Sequence, residues 1–139
     1  MRIDTSTPFG ERVARRLRED LIVWLTTVGP DQTPQPSPVW FLQDGEEFLV
    51  YSRPDTPKLR NIGRSPRVAL HLDGGRYGDD IVILTGDARI VEDHPPADQL
   101  PAYLEKYRRL IERNGMTPAS FARDYSVAIR VTPTTLRGF

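Results

Sequence analysis

The residues best suited to chemistry lie in the segment Tyr51–Leu72, YSRPDTPKLRNIGRSPRVALHL. Thr56 is a good N-cap and is followed by a proline, which suits the first position of a helix. Lys58 then lies in the first helical turn, beside unpaired backbone N–H groups and the positive end of the helix dipole. Ser52 and Arg53 reach the same place from the preceding strand. Together these groups favour binding of a phosphate, such as the phosphate of a cofactor.

The same segment admits a simpler interpretation, in which its cations only keep a surface helix in water. Arg60 and Arg64 are four residues apart, so they would lie on one face of that helix. The residue types alone leave the phosphate site and the solvated basic helix open as alternatives.

A second candidate feature is the run of alternating prolines Pro34, Pro36 and Pro38. In a strand predicted over Gln35–Leu42, all three missing N–H groups would lie along one edge. That edge cannot pair in the usual way, so the strand is expected to border a gap in the sheet.

Such an open edge would let a planar ring lie against the backbone, with Ser37 and Val39 lining it. The segment continues into Trp40 and Phe41. The alternative is that these aromatic residues belong to the core or to an interface, and the sequence does not decide this for each of them.

The elements expected around these features follow from apolar spacing. Leu21–Val28 carries apolar residues at both its odd and its even positions, as expected for a strand covered on both faces. Gly86, within a long predicted strand, indicates a bulge or bend. Tyr103 and Tyr107 fall on the apolar stripe of a helix predicted over Asp98–Arg113 and are assigned to the core. The other predicted elements are a helix around Phe9–Leu17, strands Glu46–Tyr51, Arg67–Leu72 and Ile81–Val91, a short helix Thr117–Asp124 and a strand Tyr125–Phe139. Strands joined by tight turns indicate an antiparallel barrel rather than a parallel sheet.

Composition limits the class of protein. A chain of 139 residues is expected to form one domain, residues 1–139. Its 19 basic and 19 acidic residues cancel, so no overall field attracts nucleic acid or an anionic membrane. The absence of cysteine excludes disulfides and thiolate metal sites, and the two separated histidines, His71 and His94, argue against a histidine metal site. With no signal-like core and no apolar run of about 20 residues, we expect a soluble cytoplasmic protein.

No catalytic acid, base or nucleophile is predicted. Asp79, Asp80 and Asp87 are not spaced as a carboxylate pair and suit turns and strand ends. His71 alternates with apolar residues in its strand and is interpreted as a partly exposed structural residue. Nucleophile-elbow, Walker and dinucleotide glycine motifs are missing.

In the order and spacing of these parts, the chain resembles the FMN-binding split-barrel superfamily of pyridoxamine 5′-phosphate oxidase. Within it, the chain is most similar to the actinobacterial branch that uses the deazaflavin coenzyme F420. The likeness covers nearly the whole sequence, from LIVWLTTVGPDQTPQPSPVWF through ILTGDARIVED to AIRVTPTTLRGF. Its most specific part is the spacing of Ser52, Lys58, Asn61 and Pro66-Arg67-Val68.

The resemblance implies a mainly β fold, a six-stranded antiparallel split barrel that forms a homodimer with cofactor sites at the subunit interface. Carried over by position, the residues that hold the phosphate end are Ser52, Lys58 and Asn61, assisted by Arg53 and Arg60. Those that line the deazaflavin ring are Ser37, Pro38, Val39 and Trp40. Residues specific for pyridoxal phosphate are not recognisable, so a vitamin B6 oxidase is not expected.

The function that this resemblance implies is an F420H2-dependent reductase, which passes a hydride to an unsaturated small molecule such as an enone or quinone. Two alternatives stay open: an FMN-dependent oxidase or reductase, and a carrier that binds F420 or flavin without turnover. The sequence does not choose between F420 and FMN, because both present a phosphate and a three-ring plane.

Overall fold

The computed structural model describes residues 1–139, which form seven strands and four α-helices. The strands are β1 (Val23–Val28), β2 (Pro34–Val39), β3 (Leu42–Asp44), β4 (Glu47–Ser52), β5 (Arg67–His71), β6 (Val82–Val91) and β7 (Val127–Gly138). The helices are α1 (Pro8–Glu19), α2 (Pro57–Arg64), α3 (Pro101–Arg113) and α4 (Pro118–Asp124), with one 3₁₀ turn at Ala97–Gln99.

The strands form one antiparallel sheet in the order β2-β1-β5-β6-β7-β4-β3. Its two edge strands, β2 and β3, are consecutive in the chain and are separated only by Trp40 and Phe41. Two residues span about 7 Å, so the sheet must curl until its opposite edges nearly meet. This confirms the antiparallel split barrel, with the gap between β2 and β3.

The barrel has seven strands rather than six because the predicted strand Gln35–Leu42 is divided. Its first part pairs with β1 and its last residue begins β3, which pairs with β4. The prolines account for the open edge. β2 pairs with β1 on one side only and carries Pro34, Pro36 and Pro38 at the margin of the sheet, as predicted.

The division at Phe41 is held by helix α3. The buried Phe41 amide donates to Tyr107 Oη at 2.8 Å. The Tyr107 hydroxyl lies 2.9 Å from the Phe41 carbonyl and 2.8 Å from the Leu21 carbonyl, and donates to one of them. Lys106 Nζ also donates to the Phe41 carbonyl, at 2.9 Å. Two adjacent side chains therefore replace the ladder hydrogen bonds that the chain gives up where it crosses the gap.

Two apolar clusters meet at strand β4. Phe48 and Val50 face the barrel interior, whereas Leu49 and Tyr51 pack outside the barrel under helices α3 and α4. Tyr103 and Tyr107 are fully buried in this outer cluster, which confirms their assignment to the core. Because both faces of β4 are buried, the helices are fixed to the barrel by the same strand that leads into α2.

Local rules explain two further details. At Gly86, a Cβ atom would lie 2.2 Å from the Thr132 carbonyl oxygen, and the register of β6 against β7 shifts there. The predicted bulge is thus confirmed, with a close approach that only glycine permits. Helix α3 begins at Pro101 rather than Asp98, because the residue before a proline is disfavoured in helical conformation and Leu100 is extended.

Strand β1 is buried on one face only. Val23, Leu25 and Thr27 face the interior, but Trp24 is 38% exposed, and Leu21 and Ile22 just before the strand are 40% and 41% exposed. The expectation of a strand covered on both faces is therefore not met within one chain. None of the helices combines the length and the apolar composition that crossing a membrane requires.

Removing the Tyr107 hydroxyl should destabilise the protein. Tyr107→Phe leaves the buried Phe41 amide without a partner, at a cost of about 1–3 kcal/mol in the free energy of unfolding. Tyr103→Phe is the matched control, because the Tyr103 hydroxyl has no hydrogen-bond partner. Urea denaturation of the wild type and the two variants measures the free energy of unfolding. Equal losses in Tyr107→Phe and Tyr103→Phe would show that the hydrogen bond to Phe41 makes no specific contribution to stability.

Lys106 should make stability depend on pH. Burial lowers the pKa of Lys106 to about 8, below the value near 10.4 of an unfolded chain. Between these values the unfolded state binds more protons, so the contribution of Lys106 to the free energy of unfolding rises as the pH increases from 8 to 10. In urea titrations, the free energy of unfolding of the wild type should rise relative to that of Lys106→Met between pH 8 and pH 10. A difference between the two proteins that does not change with pH would contradict the lowered pKa of Lys106.

Candidate functional site

A cavity of about 690 Å³ opens where β2, the end of β4 and the start of α2 meet α3 and α4. Its size is within the range of about 300–1,000 Å³ that is usual for ligand pockets. The residues that line it are Pro38, Val39, Trp40, Tyr51, Ser52, Arg53, Thr56, Lys58, Tyr103, Asn114, Met116, Phe121, Asp124 and Tyr125.

The polar end of the cavity is built by the turn between β4 and α2. Pro54 is followed by Asp55 with φ 62°, as in a type II turn, a conformation that aspartate tolerates better than most residues. The turn brings Thr56 back to Ser52, and their hydroxyls lie 3.1 Å apart. Ser52 Oγ also donates to the Arg53 carbonyl at 2.8 Å.

Helix α2 begins at Pro57 after Thr56, as predicted, but the Thr56 side chain does not cap it. The Thr56 hydroxyl is paired with Ser52 instead. In the first turn of α2, the Leu59 N–H donates to the Thr56 carbonyl at 3.1 Å, and the Lys58 N–H is left without an acceptor at the positive end of the helix dipole. An anion placed there would complete the cap.

Lys58 supplies a positive charge at the polar end of the cavity. Its side chain is partly buried in the cavity wall, and its ammonium forms no salt bridge and no hydrogen bond, although Asp124 lines the same cavity. Burial alone lowers the pKa of Lys58, with no anion to offset the effect. A cation left unpaired in a cavity is stabilised when an anionic ligand binds beside it.

Arg53 marks the exposed rim. Its guanidinium lies 4.8 Å from the centre of the Tyr125 ring, and interaction with Tyr125 raises the pKa of Arg53. The guanidinium therefore lies beside the ring of the C-cap residue of α4, at the mouth of the cavity.

The other end of the cavity is aromatic. Trp40 is half-buried and stacks on Tyr107 and Phe121, with ring centres 4.9 and 5.4 Å apart. Phe121 in turn stacks on Tyr125 at 4.6 Å. Of the two residues that the sequence left undecided, Phe41 belongs to the barrel core and Trp40 faces the cavity.

The structure brings most of the predicted site residues together: Pro38, Val39, Trp40, Ser52, Arg53 and Lys58 line one cavity. Ser37, Arg60 and Asn61 do not line it. Ser37 pairs with Leu25 and so lies on the inner face of the sheet. Arg60 is exposed and donates to the Asp55 carbonyl at 2.9 Å.

Asn61 is buried and already engaged. Its amide nitrogen donates to Thr27 Oγ1 at 3.0 Å and to Gln35 Oε1 at 2.8 Å. Its oxygen accepts from Arg64 Nη2 at 2.6 Å. These contacts tie α2 to β1 and β2, so Asn61 positions the helix that carries Lys58.

Sequence reasoning did not find the part of the wall that α3 and α4 supply. The missed lining residues are Tyr51, Thr56, Tyr103, Asn114, Met116, Phe121, Asp124 and Tyr125. Thr56 was predicted only as a cap, Tyr103 only as a core residue, and Tyr51 and Tyr125 only as strand residues. An apolar stripe on a helix predicts burial, but it does not show that one end of the buried surface opens to a cavity.

An antiparallel split barrel with a cationic and aromatic cavity at its gap defines a class of cofactor-binding proteins. The chain belongs to the pyridoxamine 5′-phosphate oxidase family, whose sequence model matches residues 9–139. Members of this family generally bind a flavin, and the superfamily includes oxidoreductases. The unpaired Lys58 and the stacked aromatic wall fit such a group, which has an anionic tail and a planar ring.

Solved structures share the fold. One described as an F420 reductase is 28% identical, with a TM-score of 0.65 over 88% of this chain and 94% of that one. A putative pyridoxamine 5′-phosphate oxidase from Listeria innocua is 21% identical, with a TM-score of 0.66 over 91% and 94%. HutZ, a haem storage protein from Vibrio cholerae, is 18% identical, with a TM-score of 0.62 over 99% and 95%. No curated protein sequence matches the chain.

Proposed function

We propose that this protein is an F420H2-dependent reductase that transfers a hydride from the reduced deazaflavin to an unsaturated small molecule of the enone or quinone type. The observation that carries the proposal is the cavity at the barrel gap, with an unpaired ammonium at one end and stacked rings at the other. The 28% identity to a structure described as an F420 reductase supports the choice of this cofactor.

Different residues would bind the phosphate and the ring of the cofactor. The Lys58 ammonium and backbone N–H and the Ser52 hydroxyl would hold the phosphate, with Arg53 at the rim and Arg60 beside the turn. The end of β2 and the residue after it, Pro38 to Trp40, would lie along the edge of the ring. The deazaflavin supplies the hydride chemistry when bound. The chain's part is to orient the ring and to exclude water, which agrees with the lack of a dedicated acid–base pair among its residues.

FMN is the alternative cofactor, because the same two features suit its phosphate and its ring. F420 has a longer acidic tail, for which the exposed cations Arg60 and Arg64 on α2 and Arg76 on the loop before β6 are suited. A carrier without turnover is the second alternative. The haem storage protein shows that this barrel also serves proteins described by what they store rather than by a reaction.

We further propose that the protein acts as a homodimer in the cytoplasm. Trp24 is exposed on the outer face of β1 and lies opposite Pro38, a residue of the cavity wall. Residues directly opposite on antiparallel strands share a face, so the uncovered apolar surface continues to the lip of the cavity. A second copy would cover that surface and narrow the opening of the cavity.

Sedimentation velocity should show a dimer for the wild type and a monomer for Trp24→Glu. A monomeric wild type would contradict the proposed homodimer.

The cofactor assignment is tested by titrating the purified protein separately with F420 and with FMN, followed by fluorescence. F420 should bind more tightly, and F420H2 should be consumed in the presence of quinone or enone acceptors. Preferential binding of FMN would favour the flavin-dependent alternative. Tight F420 binding without F420H2 consumption across a panel of acceptors would favour the carrier.

Lys58→Met should weaken binding of the preferred cofactor at least tenfold, because a charge-assisted phosphate contact contributes about 1.5–3 kcal/mol. The variant keeps the apolar stem and removes an unpaired charge, so its stability should not fall. Arg108→Ala, on the exposed side of α3, is the matched control for the loss of one cation. An unchanged dissociation constant in Lys58→Met would remove Lys58 from the site.

A further inference from the structure

Tyr103 carries the one buried tyrosine hydroxyl that forms no hydrogen bond within the protein. Its side chain is fully buried, and its hydroxyl has no hydrogen-bond partner. A buried donor without a partner is costly, so such a group in a native protein points to a role that the protein alone does not fulfil.

The neighbouring tyrosines emphasise the difference. The Tyr107 hydroxyl is held by the backbone of Phe41 and Leu21. The Tyr51 hydroxyl donates to the Pro95 carbonyl at 2.7 Å. Only Tyr103 lacks a partner, although its ring is packed as closely as theirs, 4.9 Å from Tyr107 and 5.1 Å from Tyr51 between ring centres.

Tyr103 also belongs to the wall of the cavity, together with Trp40 and Phe121. The ring of Tyr103 lies 5.9 Å from Phe121 with a small interplanar angle of 27°. This end of the cavity therefore combines flat apolar surfaces with a buried donor that has no partner. Asp124 is the one carboxylate in the cavity wall, and its charge disfavours an anionic ligand near it.

We propose that the aromatic end of the cavity binds a flat, uncharged carbonyl compound, a quinone or a cyclic enone, whose oxygen accepts a hydrogen bond from the Tyr103 hydroxyl. The identity of the hydride donor rests on the proposed function, whereas the recognition of the carbonyl does not. Burial raises the pKa of Tyr103, which keeps the hydroxyl protonated as a donor throughout the physiological range.

The hydrogen bond would serve the reduction as well as binding. A bound reduced deazaflavin would supply a hydride to the β-carbon of an enone and would itself be oxidised. The electron pair of the C=C bond moves to form an enolate, with negative charge on the carbonyl oxygen. The Tyr103 hydroxyl donates to that oxygen and stabilises the charge as it develops. A proton from solvent then adds to the α-carbon, and the saturated ketone leaves.

The test compares two ligands and two proteins by calorimetric titration. The ligands are 2-methyl-1,4-naphthoquinone and 2-methylnaphthalene, which share a ring plane and differ in the carbonyl oxygens. The proteins are the wild type and Tyr103→Phe, measured both without cofactor and with a saturating amount of whichever cofactor binds. The quinone should bind the variant about tenfold more weakly, while the hydrocarbon should bind both proteins equally.

Two controls separate this role from a structural one. Tyr103→Phe should not lower the free energy of unfolding, and it should leave the dissociation constant of F420 or FMN unchanged. Equal quinone affinity in both proteins, no quinone binding by the wild type, or a loss of stability in the variant would each overturn the inference. Quinone discrimination without any cofactor binding would instead refute the proposed function and leave the carbonyl subsite in place.

Discussion

The architecture depends on how the backbone of Phe41 is satisfied. At this residue the chain leaves one edge of the sheet and joins the other, so no neighbouring strand can supply its hydrogen bonds. Lys106 and Tyr107, adjacent on α3, bind its amide and its carbonyl instead. Because buried backbone groups must be paired, the split barrel is stable only with α3 docked on it. The helix is thus a structural part of the barrel rather than an addition to it.

The same constraint creates the site. Fixing the backbone at Phe41 sends its side chain into the barrel and the Trp40 ring out against Tyr107 and Phe121. One wall of the cavity is therefore set by the crossing of the gap. The opposite wall is set by the Pro54-Asp55 turn, which brings Ser52, Thr56 and Lys58 together. The aromatic and cationic ends belong to different elements, but β4 connects both to the same core.

Membership of the pyridoxamine 5′-phosphate oxidase family establishes the fold of the protein but not the reaction. Related barrels include one described as a reductase and one described as a haem storage protein. Function on a shared fold is decided by the site. Here the site offers a cation, aromatic planes and one buried hydroxyl without a partner, with no acid–base pair. Such a set suits a ligand that has an anionic end and a planar ring.

The sequence by itself determined the features that depend on neighbouring residues. Alternating prolines marked the open edge, Gly86 the bulge, and Thr56 with Pro57 the start of α2, because each follows from the local backbone. The sequence also grouped Ser52, Arg53 and Lys58, since one turn joins them.

Only the tertiary structure decided the division of the strand at Phe41, the engagement of Asn61 and the isolation of the Tyr103 hydroxyl. The partners of Phe41 lie 65 and 66 residues away, and Thr27 lies 34 residues from Asn61. A hydrogen bond over such a separation leaves no local pattern. A missing one, as at Tyr103, can be recognised only when every neighbour has been placed.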